Sequence, residues 1–298
     1  MTELVLAVDI GGTKMAAGIV DGTGTLRHRS QVPTPATRVD GGPAQGEVLW
    51  DTLAELVSQV RGLVPSTDHL LACGVGSGGP MSKGGARVSP LNIGGWRDFP
   101  LGGRLHELTG LPTFVDNDAK ALALGEGWVG VAAGRPDFIA MVVSTGVGGG
   151  IVLNGRLLDG RLGNAGHIGH VVVVPEGRAC ACGGQGCLEA EASGTALAAM
   201  TGQSAAHASP ALVERTGMLV GRAVASVVNL LDLPLAVISG SVALGFGEPF
   251  FAAAQSEIDA RCGLEYARGA RVVPGGLGDS GPLIGAARVG WRGLESLS

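Results

Sequence analysis

Residues 4–14 read LVLAVDIGGTK, an apolar run that passes into the paired glycines Gly11 and Gly12. The run at 4–8 predicts a buried strand, and a second apolar run at 15–20 predicts a strand that returns beside it. The glycine pair predicts a tight turn whose backbone amides are able to approach an anion closely. The stretch therefore predicts a β-hairpin with a phosphate-sized tip.

The same pattern recurs in the middle of the chain. An apolar run at 138–143 leads into STGVGG at 144–149, and a second run returns at 150–153. Two copies of one hairpin predict a duplicated α/β fold with two lobes. Apolar periodicity and prolines at helix starts predict helices at 45–62, 118–132, 210–231, 249–262 and 282–294, and strands at 70–75, 113–115, 235–239 and 270–273.

The length of the chain also favours two lobes, because 298 residues exceed what one compact core usually holds. We place a small first lobe at residues 1–117 and assign the last helix, 283–298, to it. The second and larger lobe is placed at 118–282. The expected fold is α/β, with a mixed sheet in each lobe.

The charge pattern argues against two classes of partner. A net charge of −5 provides no broad positive field for a nucleic acid. No run of basic residues of the kind that anchors a protein at a membrane surface is visible, and the apolar stretch 138–153 is too short to span a bilayer. Asp9 lies where a signal peptide would need an apolar core. We expect a cytoplasmic protein without nucleic-acid or membrane partners.

Three of the five cysteines, Cys180, Cys182 and Cys187, are crowded together, and His170 precedes the first of them by ten residues. Four nitrogen and sulfur ligands form a closed tetrahedral site, which is typical of structural zinc. A redox motif is the alternative, but no pair of cysteines has the C-x-x-C spacing. The sequence predicts a zinc ion that holds together a glycine-rich loop.

Two further groups of residues suggest phosphate chemistry. In the first hairpin tip, Thr13 adds a hydroxyl donor, and Asp9 is able to hold Mg²⁺ directly or through water. The triplet DND at 116–118 follows a predicted strand and opens a helix. A carboxylate there is able to accept the proton of a hydroxyl group that attacks phosphorus, with helix capping as the alternative role.

With these motifs, the chain resembles the ROK family of sugar kinases and sugar-responsive repressors. The resemblance runs nearly from end to end. It rests on residues 9–14, 77–80, 90–92, 95–96, 117–118, 144–150 and 163–189. The block that ends in CLE at 187–189 is the most specific of these.

The resemblance implies a fold like that of actin-like ATPases and hexokinases, and ATP-dependent phosphorylation of a hexose or N-acetylhexosamine. It implies that Asp118 is the catalytic base. The implied sugar contacts are Gly79, Asn92, Asn117, Asp118, His167, His170 and Glu189. The implied contacts of ATP and Mg²⁺ are Asp9, Gly11, Gly12, Thr13, Lys14, Thr145, Gly146, Gly240 and Ser241. The implied ligands of structural Zn²⁺ are His170, Cys180, Cys182 and Cys187. A homodimer or homotetramer is expected.

Three functions remain within this resemblance: a kinase, a ROK-type repressor and an inactive sugar sensor. The first phosphate loop begins at Asp9, so we expect no room before it for the DNA-binding segment that the repressors carry. An inactive sensor is expected to lack Asp118 or a phosphate loop, and both are present. A kinase is the favoured interpretation.

One departure from the family concerns the sugar. Where the family usually has Gly-Glu before Ile-Gly-His, this chain has GHIGH at 166–170. A neutral imidazole both donates and accepts, and it avoids placing a costly charge beside an acetyl methyl group. We predict that His167 favours N-acetylglucosamine over glucose, with a glucokinase as the alternative. The alternatives are that His167 faces solvent or that it supports the zinc loop.

Overall fold

The chain divides into two units in a computed structural model that describes residues 2–36 and 43–297. The first unit comprises Met1–Gly130, Asp159–Ala165 and Leu277–Ser298. The second comprises Val131–Leu158 and Gly166–Gly276. Each unit contains one five-stranded sheet of mixed direction. The predicted α/β class with two sheets is confirmed.

The sheet of the first unit has the strand order β3-β2-β1-β4-β5. Its strands are β1 (Glu3–Ile10), β2 (Lys14–Asp21), β3 (Leu26–Pro33), β4 (His69–Ser77) and β5 (Thr113–Asn117). The helices of this unit are α1 (Pro43–Arg61), α2 (Leu101–Thr109), α3 (Asp118–Val129) and α9 (Gly281–Glu295). Strand β1 pairs antiparallel with β2 and parallel with β4, so the first predicted hairpin is confirmed.

Both faces of this sheet are covered, which explains why β1 is an unbroken apolar run. Leu6 belongs to the same apolar cluster as Leu53 of α1. Val5, which points to the opposite face, belongs to a cluster with Leu283 of α9. Because side chains alternate along a strand, a strand with helices on both faces must be apolar at every position.

The sheet of the second unit has the strand order β10-β9-β6-β7-β8. Its strands are β6 (Phe138–Val143), β7 (Val147–Leu153), β8 (Arg156–Leu157), β9 (Leu235–Ser239) and β10 (Arg271–Pro274). Its helices are α4 (Leu188–Ala192), α5 (Gly194–Thr201), α6 (Pro210–Leu231), α7 (Ser241–Phe246) and α8 (Glu248–Arg261). Strand β6 pairs antiparallel with β7 and parallel with β9, so the second hairpin is confirmed as well.

Some elements differ from the sequence prediction. Strand β3 was not predicted, because its outer position leaves alternate polar residues exposed and weakens the apolar signal. The boundary predicted at residue 117 lies at Gly130 in the structure, since α3 packs against α9 within the first unit.

Within the described ranges, no helix combines the length and the apolar character that crossing a membrane requires.

Gly74 of β4 allows α9 to lie directly on the strand. A Cβ atom at this position would overlap the carbonyl oxygen of Ala286 and lie 2.6 Å from the amide nitrogen of Gly290. We expect Gly74→Ala to lower the free energy of unfolding by about 3 kcal/mol, because the clash is with backbone that cannot rotate away.

The control for this substitution is Gly103→Ala on α2, where no atom lies within 4 Å of an added Cβ. Alanine is favoured over glycine in a helix by about 1 kcal/mol, so this variant should match or exceed the parent in stability. Urea unfolding of both proteins measures the difference. Equal stability of Gly74→Ala and the parent would contradict the expected clash.

Candidate active site and metal site

Three neighbouring parallel strands bring polar residues together at one edge of the first sheet. Asp9 on β1 is in register with Gly76 on β4, which is in register with Asp116 on β5. Ser77 and Asn117 are paired one position further along. The carboxyl ends of parallel strands are where ligands usually bind in α/β sheets, so this edge is the candidate site of the first unit.

The junction from β5 to α3 fixes two of the predicted site residues. The side-chain oxygen of Asn117 caps α3 by accepting from the amide nitrogens of Ala119 at 3.1 Å and Lys120 at 3.3 Å. Asp118 is the first residue of the helix, and its Oδ1 accepts from the nitrogen of Ala119 at 2.8 Å. The capping role considered for one residue of the triplet therefore belongs to Asn117.

Gly76 allows Asp9 and Asp118 to lie near each other. A Cβ at Gly76 would lie 3.5 Å from the Cα of Asp118 and 3.6 Å from Oδ1 of Asp9. Burial and, to a smaller extent, the nearby charge of Asp118 raise the pKa of Asp9 to about 7, although Lys14 acts in the opposite direction. Two neighbouring acidic side chains, Asp9 buried and Asp118 half-buried, are a suitable environment for a divalent cation.

The raised pKa of Asp9 predicts a pH-dependent difference in stability. The unfolded carboxyl loses its proton near 3.8 and the folded one near 7, so protonation favours the folded state at low pH. This contribution is complete below about pH 4 and is lost as the pH rises through about 7. We expect Asp9→Asn, which stays neutral, to become more stable than the parent across this range, by up to about 4 kcal/mol.

Chemical unfolding at about pH 4 and about pH 8, without divalent cations, measures this effect. Asp51→Asn, at an exposed position of α1, is the control for the same chemical change and should show no such trend. A stability difference between Asp9→Asn and the parent that does not change with pH would contradict the assignment.

The tip of the first hairpin is closed by local hydrogen bonds. The amide of Gly11 donates to the carbonyl oxygen of Lys14 at 3.0 Å. Thr34, which sequence reasoning missed, braces the tip: its hydroxyl donates to the carbonyl oxygen of Gly11 at 2.7 Å, and its amide donates to that of Thr13 at 3.0 Å. No local motif marks Thr34, since β3 itself was not predicted.

Asn92 lies against this tip. A Cβ at Gly12 would lie 2.8 Å from Nδ2 of Asn92, and one at Gly78 would lie 3.2 Å from its Oδ1. The carbonyl oxygen of Gly79 accepts from the amide of Leu91 at 3.1 Å, which holds the two segments together. The structure thus brings Asn92 to the first glycine turn and holds Gly79 beside the segment that carries Asn92; both were predicted as sugar contacts.

The second hairpin tip is joined to Glu189. The Oε2 atom of Glu189 accepts from the amide of Val147 at 2.9 Å, and a Cβ at Gly146 would lie 2.8 Å from the same oxygen. The carbonyl oxygen of Thr145 accepts from the hydroxyl of Thr195 at 2.9 Å. Thr195 was not predicted, because its contact with the tip spans 50 residues of sequence.

The pair Gly240 and Ser241 lies beside this second tip. Gly240 has a φ of 102° and precedes α7, and the hydroxyl oxygens of Ser241 and Ser144 are 2.9 Å apart. A Cβ at Gly240 would overlap the backbone of Val143, so only glycine fits there. The structure therefore groups three predicted nucleotide elements of the second unit, namely residues 144–146, Gly240 and Ser241.

The predicted metal ligands form a compact cluster in the second unit. The ligand atoms of His170, Cys180, Cys182 and Cys187 all lie within 4.8 Å of one another. Nδ1 of His170 is 3.7 Å from Sγ of Cys180, and the sulfurs of Cys182 and Cys187 are 3.8 Å apart. Two sulfurs bound to a tetrahedral zinc at about 2.3 Å lie about 3.8 Å apart. The cluster fits a zinc ion.

The thiols also show why a cation suits this cluster. Burial raises the pKa of Cys187 to about 12 and raises that of Cys180, whereas a hydrogen bond from the backbone of Gly184 lowers that of Cys182. Two buried thiols that resist ionisation become ligands when a cation offsets the charge of their thiolates.

Comparison with known proteins places these features in a family. The model of the ROK family matches residues 5–290. The chain belongs to the ROK family. An N-acetylmannosamine kinase of Citrobacter koseri is 39% identical to this ROK protein over 258 residues, which cover 81% of the chain and 84% of the relative.

Solved structures of two ROK enzymes have the same fold. A glucokinase from Streptomyces griseus, in complex with glucose and AMPPNP, superposes with a TM-score of 0.83 at 30% identity, covering 97% of this chain and 99% of that one. A hexokinase from Thermus thermophilus has a TM-score of 0.81 at 33% identity, covering 98% and 99% of the two chains. The hexokinase-like fold implied by the sequence is confirmed.

Glu191 of this ROK protein is a residue that sequence reasoning missed. It is buried on α4, two positions after Glu189, and its Oε1 accepts from the amide of Arg178 at 2.6 Å. Its Oε2 pairs with Arg215 of α6 at 2.6 Å. Helix α4 therefore carries Glu189 and, through Glu191, also holds the backbone at Arg178, just before the first cysteine of the loop. No local pattern identifies Glu191, because Arg215 is 24 residues away.

His167 precedes the short helical turn Ile168–His170 and is half-buried. Its ring lies nearly parallel to that of His170, with the centroids 6.1 Å apart and an angle of 19° between the planes. This ROK protein thus places the residue that departs from the family next to a predicted zinc ligand. Both side chains are candidates for contact with a sugar.

Proposed function

We propose that this ROK protein is an ATP-dependent kinase that phosphorylates the 6-hydroxyl group of an N-acetylhexosamine. The observation that carries the proposal is the β5–α3 junction, which holds Asp118 beside Asp9 at the carboxyl edge of the first sheet. Kinase activity is supported by the curated relatives, which are named sugar kinases, and by the glucokinase that binds AMPPNP.

In the proposed reaction Asp118 accepts the proton of the 6-hydroxyl as that oxygen bonds to the γ-phosphorus, and the bond from this phosphorus to the bridging oxygen breaks, so that ADP leaves. Asn117, Asn92 and Gly79 are the proposed sugar contacts of the first unit. Asp9 and the glycine turn at 11–12 are assigned to the nucleotide and its Mg²⁺. Asp9 would hold the Mg²⁺, which would supply positive charge to offset that of the transferred phosphoryl group.

In the second unit, Glu189, His167 and His170 are the proposed sugar contacts. Thr145, Gly146, Gly240 and Ser241 form the proposed nucleotide turns. A zinc ion held by His170, Cys180, Cys182 and Cys187 would have a structural role, since four protein ligands would leave no coordination position open for a substrate. It would hold the loop from which His170 extends.

The preferred sugar in this proposal is N-acetylmannosamine. Three relatives of that name, from Citrobacter koseri, Escherichia fergusonii and Shigella flexneri, are 37–39% identical to this chain. N-acetylglucosamine, which the sequence analysis favoured over glucose, has the opposite configuration at carbon 2 and carries the same acetamido group. The preference for an acetylated sugar is common to both interpretations.

The test is a phosphorylation assay with ATP and purified protein on glucose, mannose, N-acetylglucosamine and N-acetylmannosamine. We expect the highest kcat/KM for N-acetylmannosamine and a higher value for either acetylated sugar than for its parent hexose. The same assay is repeated with polyphosphate in place of ATP as the phosphoryl donor. Absence of ATP-dependent phosphorylation of any sugar would contradict kinase activity, and preference for glucose would contradict the choice of substrate class.

The role of His167 is tested by His167→Glu in the same assay. An ionised glutamate accepts from the sugar amide N–H but cannot donate to its carbonyl oxygen, whereas glucose presents a hydroxyl that donates to a carboxylate. We expect the ratio of kcat/KM for N-acetylglucosamine to that for glucose to fall by about tenfold, which corresponds to about 1.4 kcal/mol. The control is His106→Gln, at an exposed position of α2. An unchanged ratio would show that His167 does not read the 2-substituent.

The quaternary structure is part of the proposal. We propose a homodimer or homotetramer, as the family resemblance implies. Light scattering with size-exclusion chromatography gives the mass in solution, and a monomer at micromolar concentration would contradict this.

A further inference from the structure

Lys120 is a buried cation close to the proposed catalytic base. Its side chain is 2% exposed, although it is the third residue of α3. The ammonium group lies 2.8 Å from Oδ1 of Asp116, 2.9 Å from Oδ1 of Asp159 and 3.0 Å from the carbonyl oxygen of Gly163. An ammonium group has three donors, so this one is saturated.

The partners of Lys120 come from two parts of the first unit. Asp116 is on β5, immediately before the residues Asn117 and Asp118. Asp159 and Gly163 belong to the segment 159–165, whose neighbours in the chain on both sides belong to the second unit. The same segment is held by Asn164, which exchanges hydrogen bonds with the backbone of Met81 at 3.2 Å and 3.0 Å.

Arg292 of α9 reaches the same two carboxylates from the outside. It lies 3.3 Å from Oδ2 of Asp159 and 4.0 Å from Oδ2 of Asp116. Its side chain is 39% exposed, so water screens these pairs, whereas Lys120 is shielded. Burial raises the pKa of Asp116, and Lys120 opposes this rise. Lys120, Arg292, Asp116 and Asp159 thus form a ring of four charges. The shortest contacts in this ring are those of Lys120, whose side chain is buried.

We propose that Lys120 is a positioning residue for the proposed catalytic base. Its ammonium group ties the strand before Asp118 to the segment 159–165 and so fixes the first turn of α3, which carries Asp118. The contact with Asp116 spans the β5–α3 junction from one side to the other. A shift of this turn moves Asp118 without changing any atom that touches a substrate.

This inference rests on the proposed function, because it assigns Lys120 a role in the same reaction. A displacement of about 1 Å at a reacting group lowers the rate by about 100-fold. We therefore expect Lys120→Met to lower kcat by about 10- to 100-fold, with the KM for ATP changed by less than about threefold. The ammonium group of Lys120 contacts Asp116, Asp159 and Gly163, and none of these is a proposed ATP contact.

Asp159→Asn and the double variant complete the experiment. Asp159→Asn keeps the contact between Lys120 and Asp116, so we expect a smaller loss of kcat. If the network acts as a unit, the double variant loses no more than Lys120→Met alone. The matched control is Arg292→Gln, which removes a positive charge from the same two carboxylates on the exposed side and should keep kcat within about twofold.

Amide hydrogen exchange gives a readout that does not depend on activity. We expect peptides covering 113–122 and 159–165 to exchange faster in Lys120→Met than in Arg292→Gln, because the buried tie between them is lost. If the parent protein phosphorylates no sugar, the proposed function is contradicted, and the exchange rates still show whether Lys120 holds the first turn of α3 in place.

Two results would overturn the inference. One is a folded Lys120→Met protein with kcat within twofold of the parent, and the other is unchanged exchange in both peptides. If Lys120→Met does not fold, kcat and amide hydrogen exchange are measured in Asp159→Asn instead, and they test the same inference. A loss of kcat beyond about threefold with faster exchange supports the positioning role, and parental values of both overturn it.

Discussion

The Asp118→Asn protein is expected to phosphorylate its sugar about 10²- to 10⁴-fold more slowly than the parent, which is the usual contribution of a positioned general base. Asparagine has nearly the same shape as aspartate, and its side-chain oxygen still accepts the hydrogen bond that the amide of Ala119 donates at 2.8 Å. The fold and the sugar contact should persist, while the group that accepts the proton is absent.

A coupled assay gives kcat for this variant, and titration calorimetry gives its dissociation constant for the sugar. Asp51→Asn serves as the control, since it makes the same chemical change at an exposed position of α1. A kcat above half the parental value would remove Asp118 from the role of base. A sugar affinity lowered as much as kcat would instead assign Asp118 to binding.

The second large effect concerns zinc. We expect one zinc ion per chain in protein purified without chelators, and loss of that ion in Cys182→Ser. Structural zinc sites are worth about 10 kcal/mol or more, and changes to residues around the ligands alone weaken binding by about 10- to 100-fold. Cys182 is the exposed thiol of the cluster, so its replacement disturbs little packing and reports on the metal.

We also expect Cys182→Ser to bind sugar more weakly, because the metal loop holds His170, and α4, which follows Cys187, carries Glu189. Elemental analysis measures the zinc content, and calorimetry measures the sugar affinity. Cys262→Ser changes a buried cysteine outside the cluster and should retain its zinc. Absence of zinc from the parent protein would contradict the proposed zinc site. Unchanged sugar affinity in zinc-free protein would show that the metal is not needed for sugar binding.

The features that were predictable from the sequence are local ones. Each glycine hairpin occupies fewer than twenty consecutive residues, because the strand, the turn and the return strand follow one another in the chain. The candidate zinc ligands were predictable for the same reason, since three of the four lie in the segment from Cys180 to Cys187. Helix α6 begins at Pro210 and ends at Leu231 as predicted, because proline at a helix start and apolar periodicity are both local signals.

The contacts that complete the candidate site depend instead on the order of strands in the sheet. Asp9 and Asp118 come near each other because β1, β4 and β5 are adjacent, and Gly76 of β4 lies close to both residues. The pairing of Lys120 with Asp159 spans 39 residues, and no periodicity in the sequence marks either residue as a partner. A buried lysine is stable only where folding brings acceptors to all its protons, so its role becomes visible only when the distant segments are seen together.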